Sequence, residues 1–240
     1  LQFYSLADDT QSLEVEVSPS NRVSAIGATA IKPTRVELVA FSTPSTSTGK
    51  EAGSYWMATL DTWVNGTFAA ERHIKFWRHS AEGEGFVFRF IAQLQATDRN
   101  YSRNWNRFEL TTRIDAPHED VITSMTFSPS SSSPLLLTTS LDSTIKVWSY
   151  SGSSWHCRSS SSYRSFAPLD GAWSHDGSMF AVAHPNAITL WSLASNSLIH
   201  AFNCGSMGPA RKVEFIGEEG TMLLAGGKHG TTVWDLLTFE

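Results

Sequence analysis

His118 and Asp142 are the residues whose types most directly suggest chemistry. An imidazole oriented by a carboxylate is standard equipment for moving protons. A hydrolase built on such a pair needs a nucleophile, and no serine or cysteine stands in a G-x-S-x-G elbow. His175 and Asp176 form a second pair, but Gly177 follows at once, and Asp-Gly is the composition of a tight turn. No cysteine and histidine cluster has metal-ligand spacing. GGKHG at 226–230 has the flavour of a phosphate loop without the order G-x-x-x-x-G-K-[ST], and it joins two strand-like runs, so a hairpin is expected there. The residues therefore point to no catalytic, metal or cofactor-binding group, and the His118–Asp142 pair is expected to be structural.

The segment best equipped for binding is RNYSRNWNRF at 99–108. Arg99, Arg103 and Arg107 interleave with Tyr101, Trp105 and Phe108. Guanidinium groups pair with phosphates and aromatic faces stack on unpaired bases, which suits RNA. The same residues suit a protein contact. They equally suit a loop whose Trp105 and Phe108 pack inward while the arginines stay in water. The chain has 18 basic and 23 acidic residues, a formal charge of −5, so any RNA contact is expected to be local and protein partners come first. Serine-rich stretches at 42–53, 130–133 and 159–162 read as loops in which phosphorylation would alter partner binding. Asn65-Gly66-Thr67 matches a glycosylation acceptor but reads as a turn.

The elements that must hold these residues follow from a repeat. Four segments end alike: HIKFW at 73–77, TIKVW at 144–148, AITLW at 187–191 and TTVW at 231–234. Trp148, Trp191 and Trp234 stand 43 residues apart, and Trp77 precedes Trp148 by one such period plus an insertion of 28. A period of about 40–45 residues with four short strands per unit is the mark of propeller blades. Residues 121–127 alternate like a half-buried strand, 135–140 form an apolar run suited to cover on both faces, and 144–149 follow a turn at 141–143. The expected fold is all-β, with WD-type propeller blades at about 13–77, 108–149, 155–192 and 198–235. Residues 1–6 read as a strand of a preceding blade and 78–107 as an insertion. Blades bury their faces on one another, so four of them and a stray strand suggest part of a larger propeller. No run approaches the roughly 18 apolar residues of a membrane helix. LQFYSLADD at the start has no signal-peptide pattern, and two cysteines fit a reducing compartment.

His118, Asp142 and Trp148 closely resemble the WD-repeat family. By that resemblance, His118, Thr139 or Ser140, Asp142 and Trp148 form one hydrogen-bonded network. The Asp142 position falls on Glu71, Pro185 and Lys228 in the other units, where the network is expected to be incomplete. A narrower resemblance rests on LQFYSL at 1–6, PHED at 117–120, WHC at 155–157, SYR at 162–164, WSHDGSMFAV at 173–182 and VWDLL at 233–237. Together these resemble the second propeller of the tandem-propeller subunits of the UTP-A (t-UTP) complex. The resemblance implies a nucleolar scaffold of the small-subunit processome, supporting pre-rRNA processing and rDNA transcription. The implied partners are other UTP-A proteins, the U3 small nucleolar ribonucleoprotein and the 5′ external transcribed spacer, with no membrane, cofactor or small-molecule substrate. The alternative is a WD adaptor in another assembly, such as a ubiquitin ligase or a coat.

Overall fold

The structure, a computed structural model, describes residues 1–7, 9–18, 33–45, 54–64, 70–80, 107–130, 133–217 and 220–239. These residues are almost entirely strand and turn, arranged in five antiparallel sheets and two compact units. One unit comprises 1–39 and 44–115, the other 40–43 and 116–240.

In the first unit, β1 (Gln2–Ser5) pairs with β2 (Thr10–Glu14). β3 (Arg35–Phe41), β4 (Tyr55–Trp63), β5 (Glu71–Ser80) and β6 (Arg107–Asp115) form a four-stranded sheet in chain order. Val15, Val17, Met57, Trp77 and Phe108 make its core, with Leu1, Phe3, Leu13, Val36 and Tyr55 packed around them.

The second unit holds three meanders. β7 (Ile122–Phe127), β8 (Leu135–Ser140), β9 (Ile145–Ser151) and β10 (Ser154–Ser161) form the first. β11 (Asp170–Trp173), β12 (Met179–His184), β13 (Ala187–Ser192) and β14 (Ser197–Asn203) form the next. β15 (Ala210–Ile216), β16 (Met222–Gly227) and β17 (Thr231–Asp235) complete it. These are the all-β, WD-type propeller blades that the repeat predicts.

The strand pairing divides the chain one strand later than the sequence units do. Residues 108–114 were expected to open the unit ending at Trp148, yet they lie in β6, which hydrogen-bonds to β5. β10 and β14 similarly pair with β9 and β13, the strands before them. The link lengths explain this. Gly152 and Ser153 alone join β9 to β10, with Gly152 at φ +64°, so the chain turns straight back onto its own sheet. Residues 162–169 separate β10 from β11, enough chain to step to the next sheet.

Packing follows the two-residue alternation of a strand covered on both faces. On β12, Phe180 and Val182 pack with Leu135, Leu137, Ile145 and Val147 of the preceding sheet. Ala181 and Ala183 face the other way, into a cluster with Val213, Phe215, Leu223 and Ala225. Gly171 on β11 permits the close approach, because a Cβ there would stand 2.8 Å from Leu137 Cδ2. Polar ties cross the same interfaces. Trp173 Nε1 donates to the Thr126 carbonyl at 3.1 Å, Thr123 Oγ1 to the Pro168 carbonyl at 2.8 Å, and the Val213 amide to the Asp170 carboxylate at 3.2 Å. Successive sheets are thus locked by side chains from their first strands, which makes this unit a stiff carrier for its turns.

Candidate functional site

The His118–Asp142 pair exists, and it is sealed. The His118 side chain has no exposure and that of Asp142 only 7%. His118 Nδ1 lies 3.0 Å from Asp142 Oδ2, and Nε2 lies 2.8 Å from Thr138 Oγ1. Trp148 Nε1 donates to that same hydroxyl at 2.9 Å. Proton positions follow from donor and acceptor types. The ionised carboxylate only accepts, so Nδ1 carries the hydrogen and Nε2 must accept from Thr138, whose oxygen accepts from the indole. The resulting relay runs Trp148 N–H to Thr138 O–H to His118 Nε2, then His118 Nδ1–H to Asp142.

Asp142 is saturated. Its Oδ1 accepts from the Thr144 amide at 2.8 Å and the Thr144 hydroxyl at 2.6 Å, and its Oδ2 accepts from the Glu119 amide at 3.0 Å as well as from His118. Burial acts to raise its pKa, but the hydrogen bonds from Thr144 and Glu119 outweigh it and hold the carboxyl at about 2. Burial likewise pushes His118 down to about 4, against the opposing pull of Asp142, so the ring is neutral near pH 7. With each lone pair engaged, the group ties the β8–β9 turn to the segment before β7.

The network member on β8 is Thr138; Thr139 and Ser140, named from the sequence, take other places. Strand parity decides this. In the ladder Leu136 stands opposite Trp148 and Thr138 opposite Lys146, so Thr138 shares the indole's face. Thr139 points to the opposite face, where its hydroxyl meets Thr123 at 2.7 Å. Ser140 is back on the first face but one step nearer the turn, and its Oγ accepts from the Asp142 amide at 3.2 Å.

Two further sheets satisfy their tryptophans in ways that the turn position does not reveal. Opposite Trp191 the ladder places Phe180, and Val182 occupies the Thr138 position. The hydroxyl comes instead from Val182's cross-strand neighbour Thr189, which accepts from Trp191 Nε1 at 2.9 Å. Thr189 meets His184 Nε2 at 3.1 Å, and His184 Nδ1 reaches the Phe166 carbonyl at 3.2 Å. With Pro185 where Asp142 would be, the expectation of an incomplete network is corrected: the relay is whole, with a carbonyl in place of the carboxylate. Burial pushes His184 to about 4. In the first unit Trp77 Nε1 donates to Thr59 at 3.0 Å, while Asp61, buried on β4, pairs with Lys75 Nζ at 2.8 Å and His73 Nδ1 at 3.2 Å. Exposed Glu71 stands at the Asp142 position, where an incomplete network is expected, and the buried carboxylate beside His73 is supplied from the strand by Asp61.

The remaining sequence candidates separate cleanly. Arg99, Tyr101, Arg103 and Trp105 lie outside the described residues, and Arg107 opens β6 opposite Ser80. His175 and Asp176 lie in the turn closed by the Gly177 amide on the Ser174 carbonyl at 2.9 Å, with Gly177 at φ +71°. Hydrogen bonds from Ser174 and Ser178 hold the Asp176 carboxyl at about 2. Residues 226–230 link β16 to β17 as a hairpin, with no helix for a phosphate loop. Cys157 is exposed and Cys204 buried, both as thiols. No cluster of three metal-ligating side chains occurs among the described residues.

Replacing Thr138 with Val leaves an indole N–H and an imidazole nitrogen unpaired, at an expected cost of about 1–3 kcal/mol by chemical denaturation. Thr139→Val is expected to cost less, because Thr123 retains the Pro168 carbonyl. The depressed histidine values set a pH window. Between about pH 6.5 and about 4 the unfolded chain binds protons that folded His118 and His184 refuse, so stability present above 6.5 is lost as pH falls through that range. Asp142 adds a loss in the same direction between about 3.8 and 2. The denaturation midpoint measured from neutral to mildly acidic pH should therefore fall; a midpoint that stays flat or rises would contradict neutral buried rings.

Comparison with known proteins places this geometry. A family model described as WD repeat-containing protein 75 second beta-propeller matches residues 92–240. WD repeat-containing protein 75 of Homo sapiens is 26% identical over 225 residues, covering 90% of this chain and 23% of the human protein. The Xenopus laevis protein of that name is 27% identical over 258 residues, covering 99% of this chain and 26% of its own length. This chain thus spans about a quarter of the length of the curated relatives it matches. Among solved structures, a chain in the crystal structure of an active polycomb repressive complex 2 in the basal state aligns with a TM-score of 0.58. At 16% identity, covering 88% of this chain and 41% of that one, it supports the fold alone. With its blades, its tryptophan relays and a family match over well over half its length, the chain belongs to the family of the second β-propeller of WD repeat-containing protein 75.

Proposed function

We propose that this chain is part of a non-catalytic scaffold in ribosome biogenesis, a UTP-A subunit of the small-subunit processome acting in the nucleolus. The observation that carries the reading is the match of residues 92–240 to one particular propeller, a narrower family than WD repeats at large. The site geometry agrees with a scaffold. His118 and Asp142 hold two turns together inside a blade, with the His118 ring fully buried and the Asp142 oxygens engaged in hydrogen bonds. In this reading the blades carry loops and strand edges to other UTP-A proteins, with the U3 small nucleolar ribonucleoprotein and the 5′ external transcribed spacer as further contacts. These partners support pre-rRNA processing and rDNA transcription. Arg99, Tyr101, Arg103, Trp105 and Arg107 are the residues proposed to meet RNA or a protein neighbour.

Affinity purification of the full-length protein with mass spectrometry is expected to return UTP-A proteins and U3 components as the dominant partners. Ubiquitin-ligase or coat subunits in their place would support the competing adaptor role and overturn this one. In the same cells, Arg99→Ala, Arg103→Ala and Arg107→Ala combined should weaken crosslinking to pre-rRNA, and unchanged crosslinks would remove RNA from the proposal for that segment.

A further inference from the structure

The segment between β10 and β11 makes a turn that its sequence does not favour. The Phe166 amide donates to the Tyr163 carbonyl at 2.9 Å, and both central residues, Arg164 and Ser165, have positive φ, 46° and 55°. Two successive left-handed residues define the turn for which Asn-Gly is the favoured pair, because L side chains crowd the backbone there. Arg-Ser is a costly choice. The neighbouring turn is left-handed at Ser143 as well, φ 69°, and Ser143 Oγ donates to the Ser165 carbonyl at 3.0 Å.

The surroundings over-determine this conformation. The Tyr163 ring packs 5.4 Å from His184 and 6.1 Å from Phe166, and His184 Nδ1 holds the Phe166 carbonyl. The strain therefore persists in the folded state, as it does where surrounding structure enforces it. What the unfavourable choice provides is Arg164 itself. Its guanidinium lies 5.2 Å from the Tyr163 ring centroid, and its side chain is exposed. No carboxylate among the described residues pairs with it. A guanidinium held over an aromatic ring by a cation–π contact can still offer N–H donors to a carboxylate.

We infer that the 163–166 turn is a docking point for an acidic segment of a partner protein, with Arg164 as the anchoring side chain. A protein carboxylate fits better than RNA. An exposed arginine over an aromatic ring is the composition of a protein hot spot, whereas phosphate recognition by a chain of net charge −5 needs several cations together, and Arg164 is not accompanied by them within the turn. The bidentate geometry of arginine and carboxylate makes the anchor specific for guanidinium rather than for positive charge. The surface is independent of which assembly the chain joins.

The test uses the full-length protein in cells with a photocrosslinking residue, Ser162→p-benzoylphenylalanine, beside the turn, and the same residue at Ser153 in the β9–β10 hairpin as control. The expected product is a crosslink above the Ser153 level to a protein peptide rich in Asp or Glu. It should fall at least about tenfold with Arg164→Ala, the loss that removal of a hot-spot arginine brings, and equally with Arg164→Lys. Arg164→Asn combined with Ser165→Gly should raise Tm by roughly 2–4 °C while abolishing the crosslink, separating docking from folding. A crosslink to RNA, none above the Ser153 level, full retention by Arg164→Lys, or a lowered Tm in the double variant would each overturn the inference.

Discussion

A tryptophan N–H buried near the end of the third strand of the β3–β6, β7–β10 and β11–β14 sheets is the constraint on which much of this architecture depends. Indole nitrogen only donates, and a buried donor left without an acceptor costs about 1–3 kcal/mol, a large share of a domain's net stability. Trp148 meets the requirement through Thr138, Trp77 through Thr59 and Trp191 through Thr189. In the two complete relays the hydroxyl passes the requirement to a histidine, which passes it to Asp142 or to the Phe166 carbonyl. The last acceptor lies in or beside a turn. Satisfying one indole inside a blade therefore fixes the backbone at its rim.

This chain of requirements links packing to surface. Asp142 binds amides on both sides of the blade's edge, Thr144 after β8 and Glu119 before β7. His184 holds the carbonyl of Phe166, and so helps to hold the turn that displays Arg164. Charged side chains reinforce the pattern: Lys146 donates to the Pro117 carbonyl at 2.8 Å, and Lys75, at the matching position in the first unit, donates to the Val17 carbonyl. A rigid rim suits the proposed scaffold role, since pre-ordered loops lose less entropy when a partner binds.

Much of this could be read from the sequence, for physical reasons that also explain the failures. The 43-residue spacing of Trp148, Trp191 and Trp234 reports the repeat directly, and Asp176-Gly177 reports its turn. Thr138 could not be told from Thr139 because all of Leu135–Ser140 is buried, and a strand covered on both faces has no polar alternation to reveal its parity. Only the pairing with β9 sets it. The Thr189–His184 relay escaped for a related reason: the hydroxyl crosses the ladder from Val182 to its partner, a substitution between strands that a linear motif cannot express. Asp61 escaped because the carboxylate sits on the strand and not in the turn. The outer strands β6, β10 and β14 read from the sequence as part of the following unit because local sequence carries no mark of the sheet a strand joins.

The direction of the proton relay is the claim on which this account most directly rests. Nitrogen-15 NMR of the His118 ring at neutral pH distinguishes its two neutral tautomers and the charged form. The expected ring is neutral, with its hydrogen on Nδ1 and hydrogen-bonded to Asp142, and with Nε2 accepting from Thr138. A hydrogen on Nε2, or an imidazolium at neutral pH, would contradict it.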